Sequence, residues 1–292
     1  MSAPSAASRA RREAKPARIR FADPPSRRGL RPADARPSAR PDEGVSERGR
    51  QRWCGAAHRS IRVAPSQRAH PPEGQVSLPE ISGCPHIGTD EAGKGDYFGP
   101  LVVAGAYADE VALTRLPQAG VRDSKRISIS RRIWEVEKAV KQICPVCEVV
   151  LISPARYNEL HAKMGNLNRL LAWAHARAIE NVLDRVECDL AVTDQFGDES
   201  YLEQSLMKRG RRVRLVQRVR AENDPAVAAA AVLARAAFLR SLERLSAETG
   251  LSLPRGATHV VPMARQVFEK GGQDLLRRVA KVHFKTTKQV VS

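Results

Sequence analysis

The densest group of reactive side chains is Gly88-Thr89-Asp90-Glu91-Ala92-Gly93-Lys94-Gly95-Asp96-Tyr97-Phe98-Gly99-Pro100. Neighbouring side chains on a strand point to opposite faces, so Asp90 can face a site at a strand end while Glu91 approaches it from the turn. The glycines after the two acids let the backbone come close to a ligand and adopt positive φ. A tight turn with a solvated acidic pair is the bland alternative. A phosphate-binding loop is disfavoured, because the spacing is not that of a Walker motif and no Lys-Ser or Lys-Thr follows. A third acid, Asp194, ends the apolar run Leu190-Ala191-Val192-Thr193. Ligands gather at the carboxyl ends of strands in open α/β sheets, although an Asp there can also be a helix or turn cap. The fourth candidate lies in Arg220-Ala221-Glu222-Asn223-Asp224-Pro225, ahead of an alanine run. Pro225 suits the first helical position and makes Asp224 the N-cap, which leaves Glu222 outside the helix to reach a site. Asp224 as the functional acid stays open. Clustered carboxylates repel one another and suit hard divalent cations, which prefer oxygen ligands. Two such ions roughly 4 Å apart activate water and neutralise the leaving oxygen in phosphodiester hydrolysis.

Elements that position these residues alternate from Ile81 onward. Runs rich in β-formers occupy Leu101–Tyr107, Val146–Ile152, Leu190–Thr193 and Val213–Val216. Helical spacing predicts helices over Ser128–Gln142, Leu167–Val186, Pro225–Arg240 and Ala264–Val282. Strands followed by helices predict an α/β architecture: a mixed sheet of about five strands flanked by helices on both faces, with the acids grouped at one sheet edge.

Residues 1–80 differ in kind. They hold 11 of the 19 prolines and 17 Lys/Arg against 8 Asp/Glu, without apolar periodicity. Such a segment cannot bury enough surface to offset chain entropy, so a disordered Arg/Pro-rich basic tail is expected at 1–80 and a catalytic domain at 81–292. The formal net charge of +17 attracts polyanions, nucleic acid first among them. No uninterrupted apolar run reaches the roughly 18 residues of a spanning helix, and the N-terminus lacks the apolar core of a secretory signal. Five scattered cysteines fit a reducing cytoplasm better than a disulfide framework. Cys144-Pro145-Val146-Cys147 has thioredoxin-type spacing, but its place between a helix and a strand reads as buried small hydrophobes. Trp134 and Trp173 read as core, His175 as a packed or surface histidine rather than a base, and His259 as a turn residue that touches substrate or caps structure.

The acidic motifs together resemble the type 2 ribonuclease H family, ribonuclease HIII more than HII. The resemblance covers residues 86–290 and rests on several linked motifs. These are Gly88–Pro100 followed by Leu101, Arg122-Asp123-Ser124-Lys125, Gly165-Asn166-Leu167-Asn168 with His175, Thr193-Asp194-Gln195-Phe196, and Ala221-Glu222 with the Ala-rich helix ending Leu233-Ala234-Arg235. Leu253-Pro254-Arg255-Gly256-Ala257-Thr258-His259 and His283-Phe284-Lys285-Thr286-Thr287-Lys288 complete the set. The resemblance implies a ribonuclease H-like fold and an endonuclease that hydrolyses the RNA strand of RNA–DNA hybrids with Mg²⁺ or Mn²⁺. Asp90, Glu91 and Asp194 would be metal ligands, and Glu222 would complete the catalytic set. It also implies that the Gly93-Lys94-Gly95 backbone reads ribose 2′-hydroxyls, the group that separates RNA from DNA, and that Lys94 and Lys125 contact phosphates. A cytoplasmic monomer with no obligate protein partner and no membrane is expected. Two departures stand out. Residues 1–80 lack the strand alternation of the folded N-terminal substrate-binding domain usual in HIII. The last tyrosine, Tyr201, precedes Glu222, whereas HII reads RNA–DNA junctions with a downstream tyrosine. HII-type cleavage at single ribonucleotides and a non-catalytic nucleic-acid-binding role are the rival readings.

Overall fold

The structure is a computed structural model and describes residues 19–20, 81, 83–121 and 130–291. The chain falls into two units, residues 1–24 with 82–292 and residues 25–81. All the described strands and helices belong to the first. Apart from Ile19–Arg20, the expected basic tail lies outside the described residues, and so does the 122–125 segment with Lys125.

In chain order the elements are β1 (Ile19–Arg20), β2 (His86–Ala92), β3 (Leu101–Ala108), α1 (Glu110–Gln118), α2 (Ser130–Ile143), β4 (Val146–Ile152) and α3 (Pro154–Met164). They continue with α4 (Leu167–Leu183), β5 (Leu190–Asp194), α5 (Glu199–Ser205), β6 (Arg214–Arg218), α6 (Pro225–Thr249), α7 (Val261–Val279) and α8 (Lys285–Val291). The sheet order is β1-β4-β3-β2-β5-β6. Strands β2, β3 and β4 form an antiparallel meander, while β5 lies parallel to β2, and β6 parallel to β5. This is the expected mixed five-stranded sheet, extended by the two residues of β1 alongside β4.

Alternation along the strands separates two cores. Leu101, Val103, Val150 and Ile152 pack against Tyr157 and Leu160 of α3 and Leu170, Leu171 and Trp173 of α4. Val102, Ala104, Ala106, Val149 and Leu151 pack on the opposite side with the alanine-rich α6. Helix α6 is long and apolar enough to cross a membrane by length and composition, yet 83% of that apolar stretch is buried inside the protein. Its small side chains let it lie very close to β2. A Cβ built on Gly88 would stand 2.1 Å from the Ala226 carbonyl carbon and 2.2 Å from the Val227 nitrogen, so only glycine fits there.

Caps decide where several helices begin. Asp109 accepts the Ala112 N–H at 2.8 Å and starts α1, and Ser153 followed by Pro154 starts α3. Both helices lie where the sequence shows no long apolar stripe, and local capping chemistry accounts for them. The helix expected over Ala264–Val282 is broken, with non-helical angles at Gly271 and Gly272, and ends at Val279. Beyond it the chain straightens, and Ala280 bridges to Phe98 in the β2–β3 loop.

Candidate active site

The acids are placed by sheet register. Strands β2 and β5 run parallel with Thr89 opposite Thr193. Asp90 and Asp194 therefore follow one position later on neighbouring strands, about 4.8 Å apart across the sheet. Faces follow from alternation. Thr89 and Thr193 point towards α4, where their hydroxyls lie 2.9 and 3.4 Å from His175 Nδ1. Gly88 backs onto α6. Asp90 and Asp194 thus share the α6 face, and Glu91 points to the α4 face at the strand end.

Glu222 reaches the same region through a short 3₁₀ turn, Ala221–Asn223, between β6 and α6. The turn is tied to the acids by its backbone: the Ala221 N–H donates to Asp194 Oδ1 at 3.1 Å. Asp194 and Glu222 line one cleft with Gln195, Gly197, Val219 and Arg220. Arg220 enters the turn in the left-handed region, φ 60° and ψ 40°. That backbone costs a residue with a Cβ roughly 1–2 kcal/mol, and it swings the chain from β6 into the Glu222 turn. Asp224 is engaged elsewhere through Oδ1. It caps α6 by accepting the Ala226 and Val227 N–H groups at 2.9 and 3.1 Å, and it meets His86 Nε2 at 2.9 Å. Burial would push the His86 imidazole down, but its bond to Asp224 prevails and holds it above the ordinary histidine value.

Glu91 is held on two sides. Lys94 Nζ lies 3.4 Å from Oε1, and His175 Nε2 lies 3.3 Å from Oε2. Burial alone would raise its pKa, yet the bond to His175, the pull of that ring and the Lys94 charge outweigh it and hold the carboxyl below the ordinary glutamate value. A carboxylate only accepts, so Nε2 donates its hydrogen to Glu91, while Nδ1 faces the Thr89 hydroxyl. His175 is wholly buried and stacked on Phe196 at 4.7 Å. It links both acid-bearing strands to Glu91, a function the sequence reading missed. The visible signal was one imidazole in the otherwise apolar stretch Trp173–Ala176. Which strands that helix face meets is a long-range fact.

The structure thus sets Asp90 and Asp194 on one face, ties the Glu222 turn to Asp194, and places Glu91 across the strand end. Among the described residues, no three carboxylate, imidazole or thiol groups stand close enough to grip one ion together. The side chains turn to protein donors instead. Asp90 Oδ1 accepts the Glu91 N–H at 2.8 Å, Asp194 accepts the Ala221 N–H, and Glu91 is drawn to Lys94 and His175. Like charges in close quarters repel, so separate donors for each are the expected arrangement. The donor set, all carboxylate oxygen with Asp90 and Asp194 at adjacent strand ends, fits a hard divalent cation in chemistry and backbone placement.

A family model described as ribonuclease HII matches residues 87–287. The ribonuclease HIII of Protochlamydia amoebophila is 44% identical over 203 residues, covering 69% of this chain and 67% of that protein. The chain belongs to the type 2 ribonuclease H family. Chlamydia pneumoniae ribonuclease HIII is 41% identical over 212 residues, 71% of this chain and 70% of that one. Among solved structures, Bst-RNase HIII in complex with Mn²⁺ superimposes with a TM-score of 0.67 at 30% identity, covering 73% of this chain and 70% of that chain. Ribonuclease H2 from Pyrococcus horikoshii shares the fold, with a TM-score of 0.62 at 21% identity.

The loop between β2 and β3 starts directly after the acids of β2 and brings Lys94 beside Glu91. Gly93 takes φ +85°, and a Cβ there would stand 2.2 Å from the Pro100 carbonyl oxygen. Gly95 is different: exposed, with nothing within 4 Å of a Cβ built on it, so its backbone is open to a ligand. Asp96 N–H closes the turn onto the Gly93 carbonyl at 3.3 Å. Lys94 is partly exposed beside Glu91. His259 is exposed in the loop before α7. Cys144 and Cys147 are buried, at 5% and 7% exposure, and Trp173 lies in the core while Trp134 packs against it partly buried.

Proposed function

We propose that this ribonuclease H cuts the RNA strand of RNA–DNA hybrids with Asp90, Glu91, Asp194 and Glu222 as its catalytic acids, in a catalytic domain spanning residues 81–292. Asp90, Glu91 and Asp194 would hold Mg²⁺ or Mn²⁺, with Glu222 completing the set. The observation that carries this reading is the shared position of Asp90 and Asp194 after the Thr89–Thr193 pair, with the Glu222 turn bonded to Asp194. When bound, such cations supply an activated water and neutralise the leaving oxygen, giving 5′-phosphate and 3′-hydroxyl ends.

The chain's own residues do the rest. His175 donates to Glu91 and orients it. The backbone of Gly93-Lys94-Gly95 approaches the minor groove and reads ribose 2′-hydroxyls. Lys94 and Lys125 take phosphates, and the Arg/Pro-rich residues 1–80 add a sequence-independent attraction for polyanions. A continuous hybrid is the preferred substrate, since no tyrosine follows Glu222 to read an RNA–DNA junction. The enzyme works as a monomer in the cytoplasm, in keeping with the free thiols Cys84, Cys144, Cys147 and Cys188.

The test is cleavage of a continuous hybrid and of a DNA duplex with one embedded ribonucleotide, in Mg²⁺, in Mn²⁺ and in EDTA. Hybrid cleavage that needs a metal and falls by roughly 10³-fold in Asp90→Asn is expected, the scale of losing several kcal/mol of charge stabilisation. Full activity in Asp90→Asn would overturn the assignment. Preference for the single ribonucleotide would move the enzyme to HII specificity, and salt-sensitive binding without product in any metal would make it a binding protein.

A further inference from the structure

The glycine loop is held from the far end of the chain. Val279 accepts the Gly99 N–H at 2.9 Å, and the Lys281 N–H donates to the Tyr97 carbonyl at 2.8 Å. Tyr97 Oη and Thr287 Oγ1 are 3.1 Å apart. The decisive contact is the Lys281 side chain. It is wholly buried, and its ammonium donates to two main-chain carbonyls of the loop, Asp96 at 2.8 Å and Gly99 at 2.7 Å. The ring of Tyr157 lies 5.7 Å from Nζ. Among the described residues, no carboxylate touches it. Burial pushes this ammonium down to about 7, against the through-space pull of Asp96.

A buried ammonium without a direct counter-ion is costly, and an apolar side chain of the same length would fill the space. The lysine does something an apolar side chain could not. The Asp96–Tyr97 peptide is pinned at both ends, its carbonyl by Lys281 Nζ and its N–H by the Gly256 carbonyl at 2.9 Å. Asp96 Oδ1 in turn accepts the Gly256 N–H at 2.6 Å. The Asp96–Tyr97 peptide plane, one residue beyond exposed Gly95, and the Gly99 carbonyl are therefore fixed by a buried side chain.

We propose that Lys281 is a positioning residue for substrate discrimination: by fixing the peptide planes of the Gly93–Gly99 loop, it sets the geometry in which that loop's backbone meets the sugar edge of an RNA strand. This rests on the loop being the part that reads ribose. Pre-organised donors and acceptors recognise a hydroxyl more sharply than a loop that must be ordered on binding.

The test measures equilibrium binding of an RNA–DNA hybrid and of the DNA duplex of the same sequence, in EDTA, so that no cleavage intervenes. Lys281→Met should lower the hybrid preference about tenfold, the scale of one geometry-dependent hydrogen bond, while affinity for the DNA duplex is unchanged. A merely structural lysine would weaken both alike. Lys281→Arg, which still donates to both carbonyls, should restore most of the preference. Should Lys281→Met fail to fold, Lys281→Gln keeps N–H donors but falls one atom short of the ammonium, and its amide exchange at Lys94–Asp96 should quicken while α4 and α6 stay protected. Gly95→Val separates the two ideas, since bulk in that open space blocks a ligand without touching the protein. If Gly95→Val loses the preference and folded Lys281→Met or Lys281→Gln keeps it, the Lys281 proposal is wrong and the loop reading stands. If all keep it, the loop reading fails and takes the proposal with it.

Discussion

The two halves of the candidate site are built by different means. The acidic half is positioned by regular structure: a parallel register, strand alternation and a capped helix start. The loop half has no regular structure and is held by remote groups, among them Lys281, Thr287, Val279 and Gly256. Regular structure fixes where carboxylates emerge and leaves their side chains to turn. Remote clamps fix peptide planes and leave the exposed backbone of Gly95 open. On the proposed function, carboxylates that gather around cations would draw on the first kind of support, and a backbone that reads sugars on the second.

The largest expected effect divides the acidic half itself. Glu222→Gln should cut hybrid cleavage by roughly 10³-fold with the melting temperature unchanged. Asp224→Ala should cost about 1–2 kcal/mol as a lost N-cap and leave the folded protein active. Paired kcat and urea-unfolding measurements decide it, and the opposite pattern would make Asp224 the fourth acid. Next comes the seam between the sheet and α6. Gly88→Ala forces a Cβ into backbone, and a loss of about 3 kcal/mol or more is expected in denaturant unfolding.

Weaker effects bear on what supports each half. His175→Ala should reduce Mn²⁺ affinity or cleavage by about 10- to 100-fold, the scale for partners that orient a ligand. Isothermal titration with Mn²⁺ would show it, and unchanged affinity and rate would remove His175 from the acidic half. On the loop side, the folded Lys281 value lies near 7 against an ordinary 10.5. Between those values the unfolded chain binds a proton that the folded chain has shed, so stability rises with pH across that window, and the full penalty applies below it. Relative to Lys281→Met, the wild type should gain at most about 1.4 kcal/mol per pH unit from pH 7 upward. Urea unfolding at pH 7, 8 and 9 measures the difference, and parallel curves would show that the lysine is not desolvated.

The same contrast governs what could be read from the sequence. The positions of Asp194 and Glu222 were marked by local landmarks, the end of a β-rich run and a Pro-marked helix start, and that of Asp90 by two adjacent acids ahead of three glycines. The Asp224 cap followed from Pro225 alone, and the structure has it. The strands β3, β4, β5 and β6 were visible within a residue or two. Short helices such as α1 and α3 were not, because a single capping side chain starts each and their apolar faces are brief. His175 was read as packing because its partners, Thr89, Thr193 and Glu91, lie on other elements. Lys281 left no trace, since the groups it meets are main-chain carbonyls that every sequence possesses.

The pairing of Thr89 with Thr193 carries a last consequence. Strands can slide past each other only in whole residues, and a slip of one would turn Asp194 from the α6 face to the α4 face. Spacing between these acids is therefore quantised by the backbone ladder. Fine adjustment falls to side-chain length, so on the proposed function aspartate-to-glutamate exchange at 90 or 194, or glutamate-to-aspartate exchange at 222, would be the vernier for matching cations of different radius.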